Sequence, residues 1–252
     1  MSALSVRGIV LSSKPHREHD RILRILTATN GLIHACAPGA GKPTSRHGPS
    51  SQPGALSDFC LSSSKDFMYL SESELIEPFR GIYEDIEKLT AASHLLEIAS
   101  DAAIDAEMTR SIYPLLVHSM YYLSEGKKPI TFVICTFEWK MMAMLGYSAD
   151  LSPCKCGFSS AESKSAFSFT RCRIFCTRSS CLAEACDYLI ISNGSLLALQ
   201  YIQNSDLKAL FSFNATDEII NEISIVSRRY LCERLDKKYC KMDMLLSAPE
   251  WE

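Results

Sequence analysis

Six of the chain's eleven cysteines fall between positions 154 and 186. They run Cys154-Lys155-Cys156-Gly157, then Cys172, Cys176, Cys181 and Cys186. Paired thiolates at short spacing suit a tetrahedral metal site, because each pair grips the ion from one tight turn. Cys154, Cys156, Cys176 and Cys181 form the expected quartet, with Cys172 and Cys186 as possible substitutes and structural Zn2+ as the expected cofactor. Four thiolates fill a tetrahedral shell and leave no position for a catalytic water, so chemistry has to be sought elsewhere. A metal-free cysteine-rich turn is the alternative. A redox dithiol is a weaker one, since the cluster lacks a Cys-x-x-Cys. Cysteines scattered outside the cluster (Cys36, Cys60, Cys135, Cys232 and Cys240) and their odd total argue against a secreted disulfide framework and for a reducing cytoplasm.

Around this module the hydrophobic pattern changes period. Residues 5–12, 21–28, 31–37, 55–61 and 67–70 read as five short strands. Thr29-Asn30-Gly31 supplies a hairpin signal, and residues 38–50, rich in Gly, Pro and Ser, read as a loop. Five strands with turns between them fit a small closed barrel, the OB-fold. From about position 84 the apolar residues recur at three- and four-residue steps, predicting helices over 84–106, 109–124, 129–145, 193–203, 206–211 and 216–238. The expected fold is therefore α+β and multidomain. An N-terminal OB-fold barrel over 1–78 precedes a mainly α-helical domain over 79–151 and 187–252, with a zinc-finger-like module inserted at 152–186. No apolar run approaches the roughly 20 residues that span a bilayer, and the N-terminus does not read as a signal peptide.

The net charge of -3 conceals an asymmetry. Arg7, Lys14, Arg17, Arg21, Arg24, Lys42 and Arg46 crowd the first fifty residues, against Glu18 and Asp20. The stretch from Asp58 to Glu107 is strongly acidic, and Arg228, Arg229 and Arg234 head a second basic run. Local basic faces on a mildly acidic chain predict a polyanion bound at defined places. Residues 1–50 contain no Phe, Tyr or Trp, so the seven cations are expected to hold nucleic acid by phosphate contacts. Base stacking in this barrel would have to come from Phe59, Phe67 or Tyr69.

Three enzymatic readings fail on chemistry. Gly39-Ala40-Gly41-Lys42 lacks both the Ser or Thr and the earlier glycine of a phosphate-binding loop. Pro153-Cys154 has no His-x-Glu upstream, as a deaminase needs, and His94-Leu95-Leu96-Glu97 has one residue too many. No Ser-His-Asp constellation stands out. The expectation is a non-enzymatic protein. Its rival is an interaction scaffold whose helical domain binds partners and whose barrel does not bind DNA.

Several short motifs, in order, resemble the RecO family of bacterial recombination-repair proteins. Arg7-Gly8-Ile9-Val10-Leu11 with Glu18-His19-Asp20, and Leu26-Thr27 before Gly31, resemble its opening strands. Gly39-Ala40 and Ser45-Arg46 resemble its basic loop. Phe137-Glu138, Leu145-Gly146-Tyr147 and Leu151 precede Cys156-Gly157, and Phe167-Ser168 with Cys176 closes the module. The resemblance implies binding of single- and double-stranded DNA, strand annealing, and help to RecA in replacing single-strand-binding protein. It implies RecR and the C-terminal tail of single-strand-binding protein as partners, in the bacterial cytoplasm at the nucleoid. Arg228, Arg229 and Arg234 are the guess for a rim that would receive that acidic tail. Pro38 and Gly41 stand where the family's loop is usually basic, which predicts weaker DNA contact there.

Overall fold

The computed structural model describes residues 3–64, 67–104, 106–157 and 164–242. Five strands, β1 (Ala3–His16), β2 (Asp20–Thr27), β3 (Gly31–Ala37), β4 (Leu56–Ser64) and β5 (Phe67–Glu77), close into a barrel in the order β1-β2-β3-β5-β4. All pairings are antiparallel except β3 with β5, which closes the barrel in parallel. The Asn30-Gly31 signal marks the β2–β3 hairpin, where Gly31 takes φ 72, a conformation cheap only for glycine. β1 and β5 run longer than expected. Bulges after Val10 and after Cys60 bend the ladder, and β5 continues through Glu72 and Glu74 because its outer face is wet.

Val6, Val10, Leu23, Ile25, Ile33 and Phe59 help to fill the barrel. Ile9, Leu11 and Leu26 point the other way yet are also buried, because helices α2 (Ile86–Ala102) and α3 (Ala106–Glu125) lie on β1 and β2. Consecutive apolar residues on β1 record that double burial. Asp85 caps α2 by accepting from the Glu87 amide at 2.8 Å. His94 is fully buried on α2, edge-on to Tyr239 with ring centres 5.8 Å apart. The segment after Tyr239 returns to α2, where Lys241 meets Glu97 at 3.0 Å.

The chain forms two compact units, residues 1–130 with 239–252, and residues 131–238. The boundary separates α2 and α3, which group with the barrel, from the helices that follow, whereas the sequence pattern suggested one helical body. The reason is the apolar outer face of β1 and β2, invisible in a periodicity plot. Short α1 (Arg80–Tyr83) sits tightly on α3: a methyl group at Gly81 would land on the Ser124 carbonyl oxygen. Backbone cannot yield as a side-chain tip can, so Gly81→Ala is expected to cost about 1–3 kcal/mol, read as a lower denaturant midpoint at constant m.

The second unit is built on α4 (Ile130–Met144), buried almost all round, and α7 (Asp217–Leu235). Trp139 packs on Tyr230 and Phe167 at centroid distances of 5.2 and 5.7 Å, and its indole donates to the Leu199 carbonyl at 3.1 Å. A three-stranded sheet, β6 (Lys164–Ser168), β7 (Arg173–Phe175) and β8 (Tyr188–Ser192), runs in the order β7-β6-β8. Short helix α5 (Ser179–Ala185) lies between β7 and β8, and α6 (Asn193–Asn204) follows β8. The helix expected over 206–211 is instead a run of turns. Asp206 accepts from the Ala209 amide at 2.9 Å, and the Tyr201 hydroxyl donates to the Ala209 carbonyl at 2.9 Å, so these groups are engaged outside a helical ladder.

Candidate nucleic-acid interface and metal centre

The β1–β2 turn and the long β3–β4 loop meet at one end of the barrel. Gly41 donates its amide to the His19 carbonyl at 2.8 Å, and Gly39 donates to Asp20 Oδ1 at 2.9 Å. A methyl at Gly41 would stand 3.0 Å from that carbonyl, so the small residue is what permits the approach. The contact brings the segment that holds Lys42 against the β1–β2 turn, which holds Arg17 and joins the strands of Lys14 and Arg21. The register sets Lys14 opposite Ile22 and Arg21 opposite Pro15 and Ala37, so these two point to alternate sides. Lys14, Arg17 and Lys42 are exposed, Arg21 is half-buried, and none of the four forms an ion pair among the described residues.

The other three cations expected for DNA are engaged within the unit. Arg7 makes a two-pronged pair with Asp58, at 2.8 and 2.7 Å, directly across the β1–β4 ladder. The bidentate carboxylate holds its guanidinium proton more tightly and keeps the Asp58 carboxyl below its ordinary range. Arg24 reaches Ser100 on α2, donating to its hydroxyl and, at 3.1 Å, to its carbonyl. Arg46 is exposed but folded back, donating to His47 Nε2 at 3.1 Å and towards the Ser71 carbonyl at 3.4 Å. His47 also meets Ser73 at 2.8 Å; burial first, then the neighbouring Arg46 charge, lowers its pKa. Sequence reasoning missed Asp20 and Asp58 as the groups that pin the loop and neutralise Arg7. Their carboxylates were visible, but the pairings are set by long-range register.

In the second unit the quartet Cys154, Cys156, Cys176 and Cys181 comes together with all four sulfurs within 4.8 Å of one another. Cys156 and Cys176 are 3.5 Å apart, Cys154 and Cys181 3.9 Å. A tetrahedral ion with metal–sulfur bonds of about 2.3 Å needs sulfur–sulfur edges of about 3.8 Å, so the donors fit. The short Cys-x-Cys spacing works because Gly157, at φ 72, returns its amide to the Cys154 carbonyl at 3.2 Å. Cys176 leaves the end of β7 and Cys181 sits in the first turn of α5. Cys172 and Cys186 lie apart from the quartet, their thiols directed to the carbonyls of Phe169 and of Ala183 and Glu184.

Burial alone would raise the Cys154 thiol, but hydrogen bonds from the Cys156 and Cys176 amides and thiols outweigh it and bring it down to about 7. The Cys181 thiol is pushed up to about 12, first by its bond to Cys176, then by burial and the neighbouring thiols. Such a cluster gives up its first proton readily and its last reluctantly, unless a cation replaces them.

The guessed partner rim is already occupied. Arg228 donates to the buried Glu138 at 2.8 Å. Arg229 pairs with Asp187 and Glu233 and lies 4.0 Å over the Phe169 ring, and Arg234 donates to the Phe169 carbonyl at 3.1 Å. All three therefore tie α7 to its own unit. Among the described residues no helix is long and apolar enough to cross a membrane.

The barrel segment, residues 1–79, matches the family model described as Recombination protein O N terminal, and residues 83–242 match Recombination protein O C terminal. A DNA repair protein RecO of Acetivibrio thermocellus is 34% identical over 246 residues, covering 97% of each chain. That of Desulforamulus reducens is 28% identical, covering 94% of this chain and 92% of the relative. That of Clostridium acetobutylicum is 25% identical over 97% and 98%. With barrel and helical segments matched in the same order and full-length relatives aligned almost end to end, the chain belongs to the RecO family of DNA repair proteins.

Proposed function

We propose that this chain is a DNA-binding recombination mediator that holds single- and double-stranded DNA by phosphate contacts and anneals complementary strands. With RecR it would help RecA to replace single-strand-binding protein in the bacterial cytoplasm, at the nucleoid. The observation that carries the DNA reading is the docking of Lys42's loop on the Arg17 turn, which joins segments whose exposed cations Lys14, Arg17 and Lys42 form no ion pair among the described residues. Phosphate contacts carry little sequence information and accept either strand form. Neutralising the phosphates lets complementary strands approach, which is the annealing step. The partners follow from family membership rather than from a contact seen here, and the engaged Arg228, Arg229 and Arg234 lend no support to a tail-binding rim. The reading is non-enzymatic.

Zinc is the reading for the metal, because an all-thiolate tetrahedral shell suits it and leaves no open coordination position. Cys154, Cys156, Cys176 and Cys181 would hold it, and it would supply a structural cross-link.

The test is fluorescence anisotropy with labelled single-stranded DNA across a salt series. Binding should weaken with a log–log slope of roughly -0.7 to -0.9 per neutralised phosphate. Lys14→Glu, Arg17→Glu and Lys42→Glu should each shrink the slope by about that amount, whereas Arg7→Ala should leave it nearly unchanged. Absence of binding at low salt would overturn the reading in favour of a partner-binding scaffold, for which the Arg7–Asp58 pair beside Glu72 and Glu74 is the acidic barrel face.

A further inference from the structure

Of the three aromatic residues open to base stacking, the barrel uses one for itself. Phe59 is fully buried in the barrel core. Phe67 is 61% exposed and Tyr69 36% exposed, two residues apart on β5. Pairing of Tyr69 with Ser62 and of Phe67 with Ser64, while Leu61 and Leu70 fill the interior, sets both rings on the outer surface. Isolated exposed aromatics need no explanation; two adjacent ones beside a cationic loop do.

The register also fixes their neighbours. Tyr69 pairs with Cys36, Cys36 with Ile22 and Ile22 with Lys14, so the four share one side of the sheet, with Cys36 buried and Lys14 three strands from the ring. From the other side Arg46 reaches the Ser71 carbonyl, two residues beyond Tyr69 on the same strand. Arg46 thus lies along the strand of the rings, and Lys14 lies across the sheet from them.

We infer that Phe67 and Tyr69 form a stacking platform for two successive unpaired bases, giving the barrel a preference for single over double strands. This rests on the DNA-binding reading above and adds what phosphate contacts lack. Alternate residues on a strand lie about 6.6–6.8 Å apart, twice the rise of about 3.4 Å between bases stacked in a duplex. The platform thus fits an unstacked, extended single strand, whose bases present their faces, and not a duplex, whose faces are already covered. An OB-fold engages oligonucleotides on the β2–β3 face and on the β1–β2 and β4–β5 loops, and the pair sits where the β4–β5 hairpin opens onto that face. Cations along the strand and across the sheet favour this occupant over an apolar protein surface.

The experiment compares the full chain with Phe67→Ala, Tyr69→Ala and the double variant, titrated with a labelled oligo-dT and with a duplex of equal length. Thermal unfolding and sedimentation verify fold and mass. The double variant should bind the single strand about tenfold or more weakly, bind the duplex within about twofold, and keep the wild-type salt slope, since no cation is removed. Light-induced crosslinking of oligo-dT carrying 5-iodouracil should trap a peptide containing residue 67 or 69 in the wild type. Equal losses for single strand and duplex, or no loss, would overturn the platform while leaving phosphate binding standing. Wild type that binds neither form would overturn both readings. Unchanged DNA affinity with a change from dimer to monomer would instead assign the rings to a contact between two copies.

Discussion

Serine in place of Cys176 or Cys181 is expected to release α5 and the 154–157 turn from the small sheet while the rest of the second unit stays folded. The sheet has two unequal faces. On one, Phe167 packs into the aromatic core with Trp139 and Tyr230. On the other, among the described residues, Ala166, Phe175 and Ala185 accompany the two buried cysteines, with Cys154, Leu182 and Tyr188 partly covering them. So small an apolar cluster cannot offset the entropy of ordering the turn and α5. A bound ion would supply the difference, since binding to structural zinc sites is worth roughly 10–16 kcal/mol in zinc-finger peptides and appears as folding free energy. Each serine variant should lose its metal and its amide-exchange protection across 176–186, and a strong chelator should do the same to the wild type. Protein purified under reducing conditions without metal, yet fully protected there, would sink this account.

The second large effect is expected at Glu138 and Arg228. The Glu138 side chain, on α4, is only 1% exposed and that of Arg228, on α7, 18%. They pair at 2.8 Å, and the Ser227 hydroxyl donates to the second carboxylate oxygen at 3.1 Å. Removing one partner strands the other charge in an apolar interior. Glu138→Ala or Arg228→Ala should therefore cost about 3–5 kcal/mol, but Glu138→Met with Arg228→Met should recover most of that loss. Chemical denaturation of the four proteins, combined as a double-mutant cycle, measures it. Single variants that lose less than about 1 kcal/mol would mean that water reaches the pair and screens it.

These cases mark what was legible in the sequence. The barrel was legible because alternation and hairpin residues act over a few positions. The cysteine quartet was legible because metal chemistry restricts spacing, and the choice of Cys154, Cys156, Cys176 and Cys181 over Cys172 and Cys186 follows the two tight turns that bring sulfurs together. Family membership was legible for a similar reason, since ordered short motifs survive where overall identity is low.

The free cations were not legible. Seven basic residues of the first fifty looked equivalent, but Arg7 faces Asp58 fifty-one positions away and Arg24 meets Ser100; in the second unit Arg228 finds Glu138 ninety positions earlier. Lys14, Arg17 and Lys42 stay exposed and form no ion pair among the described residues, since Lys14 pairs with Ile22 and the other two lie in the connecting turn and loop. In the same way, Phe59 turns inward while Phe67 and Tyr69 face water, since the side of a strand depends on its bulges and on which neighbours close the barrel. Local sequence determined which elements form and which thiols can share an ion. Only the tertiary structure decided which charges and rings are available, because charge pairing and burial depend on neighbours that short-range pattern does not encode.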